Sequence, residues 1–205
     1  MGLVKYNDLS ISSISDVSGS DKSMVLIKTV TASSSSNISF VDGTSDVVLD
    51  NTYPIYVFKL INLHPSNDQT ILRIFASIDT GSNYNAYITA SYFYAGHQED
   101  DGGNFFTIET RGGGNATGGM EFSDTLGADA DQALSGEFWL FNPSSTTFIK
   151  NFMGRTNTAG DDNQSNDVFS SGYVNSTSAV DAIKFAPDAG TIDSGSIKLY
   201  GIKDS

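Results

Sequence analysis

Three acidic stretches of the sequence, residues 99–101, 124–131 and 161–163, contain the oxygen ligands that calcium prefers. None of them fits an EF-hand register. In the middle stretch, a register starting at Asp129 places Ala133 where the third ligand should stand, and the required glycine is missing. We therefore expect solvated turns here, with no bound metal and no cofactor.

Two glutamates, Glu109 and Glu137, lie at strand positions and form the only plausible catalytic pair for glycoside hydrolysis, which needs two carboxylates facing the sugar. No acidic strand motif accompanies them. The two histidines, His64 and His97, lie in loop contexts without a nucleophile elbow or a metal-binding helix. The sequence thus predicts no catalytic residues and a protein that is not an enzyme.

A glycine-rich stretch at 111–119 resembles a phosphate-binding loop only superficially. Such a loop continues with Lys and then Ser or Thr at the start of a helix. Met120 and Glu121 follow here instead. We expect a flexible connection.

The composition narrows the class of protein. Against 24 acidic residues stand 11 basic ones, a net charge of −13, so the surface repels nucleic acid. There is no cysteine, which suits folding in a reducing cytoplasm. The N-terminus lacks the pattern of a signal peptide, and no apolar run is long enough to span a membrane.

Short apolar segments separated by Gly, Asn, Asp and Ser predict strands along most of the chain. They are 24–30, 38–41, 53–64, 70–78, 85–94, 105–110, 136–142, 147–153, 179–185 and 195–202. This pattern indicates an all-β fold, a single antiparallel β-sandwich over residues 24–205. Long loops are predicted at 95–104, 111–133 and 156–167, with one short helical turn near 125–134.

Several predicted strands are apolar on both faces. In 53–64 the apolar positions Ile55 and Val57 alternate with Tyr56 and Phe58, whereas a strand covered on one side should alternate apolar with polar. The predicted strand 136–142, which contains Trp139, is also apolar on both faces. Either the second face belongs to the core of the same molecule, or part of it contacts another subunit.

Residues 1–23 are predicted to form a separate N-terminal arm, because they are too sparse in apolar residues for a core of their own and too apolar for a free tail. The arm either lies on its own domain or docks on a neighbouring subunit. The candidate docking residues are Leu3, Val4, Tyr6, Leu9, Ile11 and Ile14.

Four tyrosines lie close together in the sequence: Tyr84, Tyr87, Tyr92 and Tyr94. Tyrosine is favoured where an apolar surface borders solvent, so these residues are candidates for an exposed edge of the sheet. In a lectin-like module such rings stack on sugars, and in an assembling subunit they anchor the interface. Within one domain they could equally be cross-strand pairs.

Four stretches of the sequence resemble a family of small virion structural proteins from marine and cyanobacterial tailed phages. They are MGLVKYNDLSISSIS, LDNTYPIYVFKLINLHPSNDQTILRIFAS, SGEFWLFNPSSTTFIKNFMGRT and SAVDAIKFAPDAGTIDSGSIKLYGI. The resemblance implies a jelly-roll-like domain in the particle, without catalysis or a cofactor. It leaves open capsid decoration, a vertex, the collar, the tail or a fibre.

The expected function is therefore that of a structural or accessory subunit of the virion, assembled in the cytoplasm of the bacterial host. Its partners would be copies of itself and other virion proteins such as the major capsid, portal or tail proteins, with no nucleic acid and no membrane. The alternative is a carbohydrate-binding sandwich that recognises glycans of the host surface.

Overall fold

The computed structural model describes residues 23–109 and 113–203, and the ordered elements among them are all strands. The strands are β1 (Met24–Thr31), β2 (Ile38–Val41), β3 (Ile55–Pro65), β4 (Leu72–Ser77), β5 (Ile88–Gln98), β6 (Asn104–Glu109), β7 (Met120–Glu121), β8 (Leu134–Phe141), β9 (Lys150–Gly160), β10 (Gln164–Val174), β11 (Ala182–Pro187) and β12 (Ile192–Ile202).

The strands form two antiparallel sheets packed as a sandwich, which confirms the predicted fold class. The large sheet has eight strands in the order β1-β12-β3-β8-β9-β10-β5-β6. The small sheet has four in the order β2-β11-β4-β7.

The connectivity is that of a jelly roll with two insertions. A jelly roll is one long hairpin wound over two sheets, and its four pairs are all present: β1 with β12, β2 with β11, β3 with β8, and β4 with β7. The chain between β4 and β7 adds the β5–β6 hairpin, and the chain between β8 and β11 adds the β9–β10 hairpin. Both insertions extend the large sheet beyond the small one.

The core lies between the two sheets and contains a cluster of aromatic rings. Phe58 and Phe138 from the large sheet meet Phe40 and Phe185 from the small sheet, with ring centroids 5.2–6.4 Å apart. Burying an aromatic or large aliphatic side chain contributes about 1.5–3 kcal/mol each, so this cluster holds the two layers together without disulfides.

The predicted loop at 156–167 is wrong, because these residues form the ends of β9 and β10 and the turn between them. The inward positions are polar yet buried, namely Thr156, Thr158, Gln164 and Asn166. Thr156 compensates by donating its hydroxyl hydrogen to the carbonyl oxygen of Phe122 at 2.7 Å. A strand whose buried face is polar lacks the apolar alternation on which strand prediction depends.

Two other boundaries also differ from expectation. The predicted loop at 95–104 is shorter, since β5 continues to Gln98 and β6 begins at Asn104. The helical turn expected near 125–134 is not a helix; Gln132 N–H donates to the carbonyl of Asp129 in a tight turn. No helix among the described residues is long and apolar enough to cross a bilayer.

The predicted arm lies outside the described residues except for Ser23. The carbonyl of Ser23 accepts a hydrogen bond from Lys203 N–H at 3.0 Å, which fixes where the chain enters β1.

Candidate functional site: the outer face of the large sheet

The outer face of the large sheet carries two adjacent rows of apolar side chains. These residues alternate along each strand with the buried core residues, so they point away from the small sheet. We call them the outer-face strip: Leu26, Tyr200, Val57, Trp139 and Met153 in one row, and Met24, Ile202, Ile55 and Phe141 in the next.

The strip spans five strands, or about 19 Å at the usual strand spacing. Its two ends are open, since Leu26 is 52% exposed and Met153 is 51% exposed. Its centre is covered by its own neighbours, and Val57 is fully buried. Apolar residues that form a contiguous area on a surface, rather than standing singly, are typical of interaction sites.

Beside the strip lies a row of charged side chains that pair across the strands. Lys59 on β3 forms an ion pair with Glu137 on β8. Arg155 on β9 makes two hydrogen bonds to the carboxylate of Asp167 on β10, at 2.8 and 2.7 Å. The guanidinium of Arg155 also lies 4.8 Å from the ring centroid of Phe169.

An open groove of about 600 Å³ lies along this charged row, with Ser135, Glu137, Arg155, Asn157 and Asp167 among its lining residues. The hydrogen bond from Lys59 lowers the pKa of the Glu137 carboxyl, and a hydrogen bond from the Trp139 side chain adds to this. Glu137 is therefore ionised at neutral pH and cannot donate a proton as a general acid. The groove offers charged and amide groups for hydrogen bonding.

The charged row continues into an aromatic cluster on the inserted hairpins. Phe169 on β10 stacks on Phe93 of β5 with ring centroids 5.0 Å apart, and Phe93 contacts Phe106 of β6 at 5.7 Å. Beyond Phe93 in the same register lies Ile108. Ile108 is 77% exposed and Phe106 is 64% exposed, the largest values for apolar side chains on the strands.

The four tyrosines predicted as surface aromatics are not brought together. Tyr92 and Tyr94 point to the inner face of β5 and are buried, at 1% and 8% exposed, which corrects their assignment to a sugar-binding or subunit surface. Tyr84 lies beside the small sheet, and the ammonium nitrogen of Lys184 is 4.5 Å from the centroid of the Tyr84 ring. Tyr87 is exposed beside the start of β5.

The two glutamates considered for catalysis lie on opposite faces of the large sheet. Glu137 faces outward, whereas Glu109, opposite Tyr92 in the ladder, faces inward. Four strand spacings, or about 19 Å, also separate them. A glycosidase of either stereochemical type needs its two carboxyl groups within about 10 Å on one substrate, so these two do not form that pair.

Two of the acidic stretches meet in space. The Glu99 N–H donates to the carbonyl oxygen of Asn163 at 3.0 Å, and the two turns border a cleft of about 210 Å³. Even so, no three His, Cys, Asp or Glu side chains within 23–109 and 113–203 are arranged to hold a metal ion.

The histidines and the glycine-rich stretch have structural contacts. His64 Nδ1 lies 2.8 Å from the carbonyl oxygen of Gln132, and His97 Nε2 lies 3.3 Å from a carboxylate oxygen of Asp101. In the described part of the glycine-rich stretch, Ala116 exchanges two backbone hydrogen bonds with Ile88 at the start of β5.

The sequence indicated that some strands have two apolar faces, but it indicated neither the extent of the strip nor the groove. Trp139 and Val57 belong to segments whose sequence is apolar on both faces, and this pattern is what indicates an apolar outer face. Arg155 directly precedes the predicted loop 156–167 and Asp167 is its last residue, so nothing in the sequence indicated that the two form an ion pair across a hairpin. Comparison of the chain with protein-family models, curated proteins and solved structures found no match.

Proposed function

We propose that this chain is a non-enzymatic structural or accessory subunit of a tailed-phage virion, acting through association with copies of itself and with other virion proteins. The observation that supports this proposal is the outer-face strip. It is contiguous, runs from the edge strand β1 across β12, β3 and β8 to β9, and leaves Leu26 and Met153 half exposed.

The jelly-roll connectivity supports the same proposal, since this architecture recurs in capsid proteins, although one fold serves many functions. Four stretches of the sequence resemble phage virion proteins, and this resemblance is the reason for proposing a phage particle as the assembly. The net charge of −13 suits a subunit that must stay soluble until it assembles.

The test is the mass of the purified chain in solution. We expect the wild type to associate, and the double variant Leu26→Lys/Met153→Lys to sediment with a lower average mass at the same concentration. Two buried ammonium groups without partners would oppose the contact. Sedimentation velocity from about 1 to 100 μM covers the range of a moderate interface.

A matched control keeps this test specific. Phe148 lies in the loop after β8, is not one of the strip residues, and is 69% exposed, so Phe148→Lys should leave the sedimentation profile unchanged. Far-UV circular dichroism should show the same β-signal for all variants. A wild-type chain that stays monomeric at 100 μM would contradict the proposal.

The groove beside the strip favours a second candidate, the binding of a surface glycan. Charged side chains paired across strands, with Phe169 at the end of the row, offer the planar polar groups and an aromatic edge that sugars contact. Tyr92 and Tyr94 have no part in it because they are buried.

For this candidate, Arg155→Ala should abolish the signals on a glycan array, whereas Arg73→Ala should not. Arg73 is the matched control because it forms an ion pair with Glu121 on the small sheet, away from the groove. An array without wild-type signals, or one unaffected by Arg155→Ala, eliminates glycan binding at the groove.

A further inference from the structure

Edge strands of a sheet present unpaired backbone N–H and C=O groups and are templates for pairing with another chain, so monomeric proteins protect them. Among the described residues, four strands lie at sheet edges: β1 and β6 in the large sheet, and β2 and β7 in the small one. How each edge is protected can be read from its length, its register and its side chains.

Three of these edges carry recognised protection. β2 has four residues and β7 has two, which is too short to template a stable ladder. β1 is longer, but its register with β12 is broken by a bulge between Leu26 and Lys28. Lys28 adds a positive charge at the bulge, and both features disfavour strand addition.

β6 has none of these features. It is six residues long, pairs with β5 without a register break, and contains no proline, lysine or arginine. Phe106 and Ile108 on this strand are the most exposed apolar side chains of the sheet. Its one charged residue is Glu109, at the end of the strand and on the inner face. An edge without a bulge that exposes apolar residues such as Phe106 and Ile108 is the type that pairs with another strand.

The hydrogen-bond pattern fixes which backbone groups are open. The N–H of Gln98 donates to the carbonyl of Gly103 at 2.9 Å, and hydrogen-bonded and non-hydrogen-bonded pairs alternate from there along the antiparallel ladder. It follows that Asn104, Phe106 and Ile108 direct their N–H and C=O groups away from β5, toward the open edge.

We propose that β6 pairs with β6 of a second copy, antiparallel about a two-fold axis at Thr107, so that the two large sheets become one continuous sheet. This deepens the proposed function, on which it rests, by naming one subunit contact. In this register Phe106 of each copy stands opposite Ile108 of the other, in hydrogen-bonded positions. Thr107 then faces its own copy in a non-hydrogen-bonded pair.

Shifting the axis to Phe106 keeps the backbone pattern but places Ile108 opposite Asn104, an apolar side chain against a polar one. The Thr107 register is preferred because it matches both apolar pairs on one face of the sheet.

The area available suggests a reversible dimer. At their exposed fractions, Phe105, Phe106 and Ile108 of β6 leave roughly 330 Å² of apolar side chain per copy. Two copies together stay below the area of stable interfaces, about 1,200 Å², which is the size of a weak, reversible contact. Since both copies are strongly negative, association should strengthen as salt rises from about 0.05 to 0.5 M.

Disulfide trapping tests the contact directly, because the chain has no cysteine of its own. In a non-hydrogen-bonded pair the Cα atoms lie about 4.5 Å apart, within the range that a disulfide spans. We expect Thr107→Cys to form a covalent dimer under mild oxidation. Thr29→Cys on the protected β1 edge should stay monomeric on a non-reducing gel.

A second variant, Ile108→Lys, tests the same β6 contact by its effect on dimer affinity. With Ile108 largely exposed, the variant should keep its fold by far-UV circular dichroism while its dimer dissociation constant rises at least tenfold. Absence of the Thr107→Cys dimer together with an unchanged constant in Ile108→Lys would overturn the β6 contact.

The strip and β6 can be separated by placing Thr107→Cys in the Leu26→Lys/Met153→Lys background. A covalent dimer that persists there establishes β6 pairing independently of the strip. If the wild type associates but Thr107→Cys does not cross-link and Ile108→Lys leaves the dissociation constant unchanged, the β6 contact fails while the proposed function stands.

Discussion

Replacing Phe138 with alanine should lower the free energy of unfolding by about 3–5 kcal/mol, the usual cost of removing a large buried aromatic side chain. The Phe138 ring contacts Phe58 and Phe152 of the large sheet at 5.9 and 5.5 Å. It also contacts Phe122 and Phe185 from the opposite layer, at 5.7 and 6.3 Å. Its loss leaves a cavity between the two sheets.

Urea denaturation followed by tryptophan fluorescence measures this change, because the single Trp139 follows Phe138 in the chain. A loss of this size is a large fraction of the total stability of a typical domain, about 5–15 kcal/mol. Phe148→Ala, at an exposed loop position, should stay within about 0.5 kcal/mol of the wild type. Equal effects of the two variants would show that Phe138 does not join the layers.

Replacing Gly195 with alanine should cost about 2–4 kcal/mol, for two separate reasons. Gly195 has φ of +102°, where a side chain strains the backbone. A Cβ at this position would also lie 2.3 Å from the carbonyl oxygen of Asn62. Both residues belong to the irregular part of the β12–β3 ladder, so the clash falls on backbone that cannot rotate away.

Gly43→Ala is the matched control for Gly195→Ala. Gly43 also has positive φ, at +71°, but a Cβ there meets nothing within 4 Å. This variant should cost about 1 kcal/mol from backbone strain alone. The difference between the urea midpoints of unfolding of the two variants isolates the cost of the clash with Asn62. Similar midpoints would mean that the irregular part of the β12–β3 ladder relaxes to accept a side chain.

The two inserted hairpins connect the fold to both proposed contacts. Without β9 and β10 the large sheet would end at β8, the strip would lose Met153, and the groove would lose Arg155 and Asp167. Without β5 and β6 the unprotected edge would not exist. The jelly-roll strands supply the strip apart from Met153, and the insertions supply Met153, the Arg155 side of the groove and the β6 edge.

A strand can be predicted from the sequence when the residues on its buried face are apolar. Segments such as 38–41 and 24–30 alternate or cluster apolar residues, and the structure has β2 and β1 at almost the same bounds. No strand is predicted anywhere along β10 (Gln164–Val174), whose inward residues Gln164 and Asn166 are buried but polar. Hydrophobic periodicity cannot detect a strand whose interior positions are amides and hydroxyls.

The sequence by itself determined that this chain forms an all-β sandwich, since short apolar segments separated by turn residues allow little else. It also determined that some strands have apolar outer faces. Only the tertiary structure decided that Trp139 and Leu26 share one strip, that Tyr92 and Tyr94 are buried, and that β6 is the last strand of the large sheet within 23–109 and 113–203. The reason is that strand order and pairing register arise from contacts between segments far apart in the chain, and a shift of one residue moves every side chain to the other face.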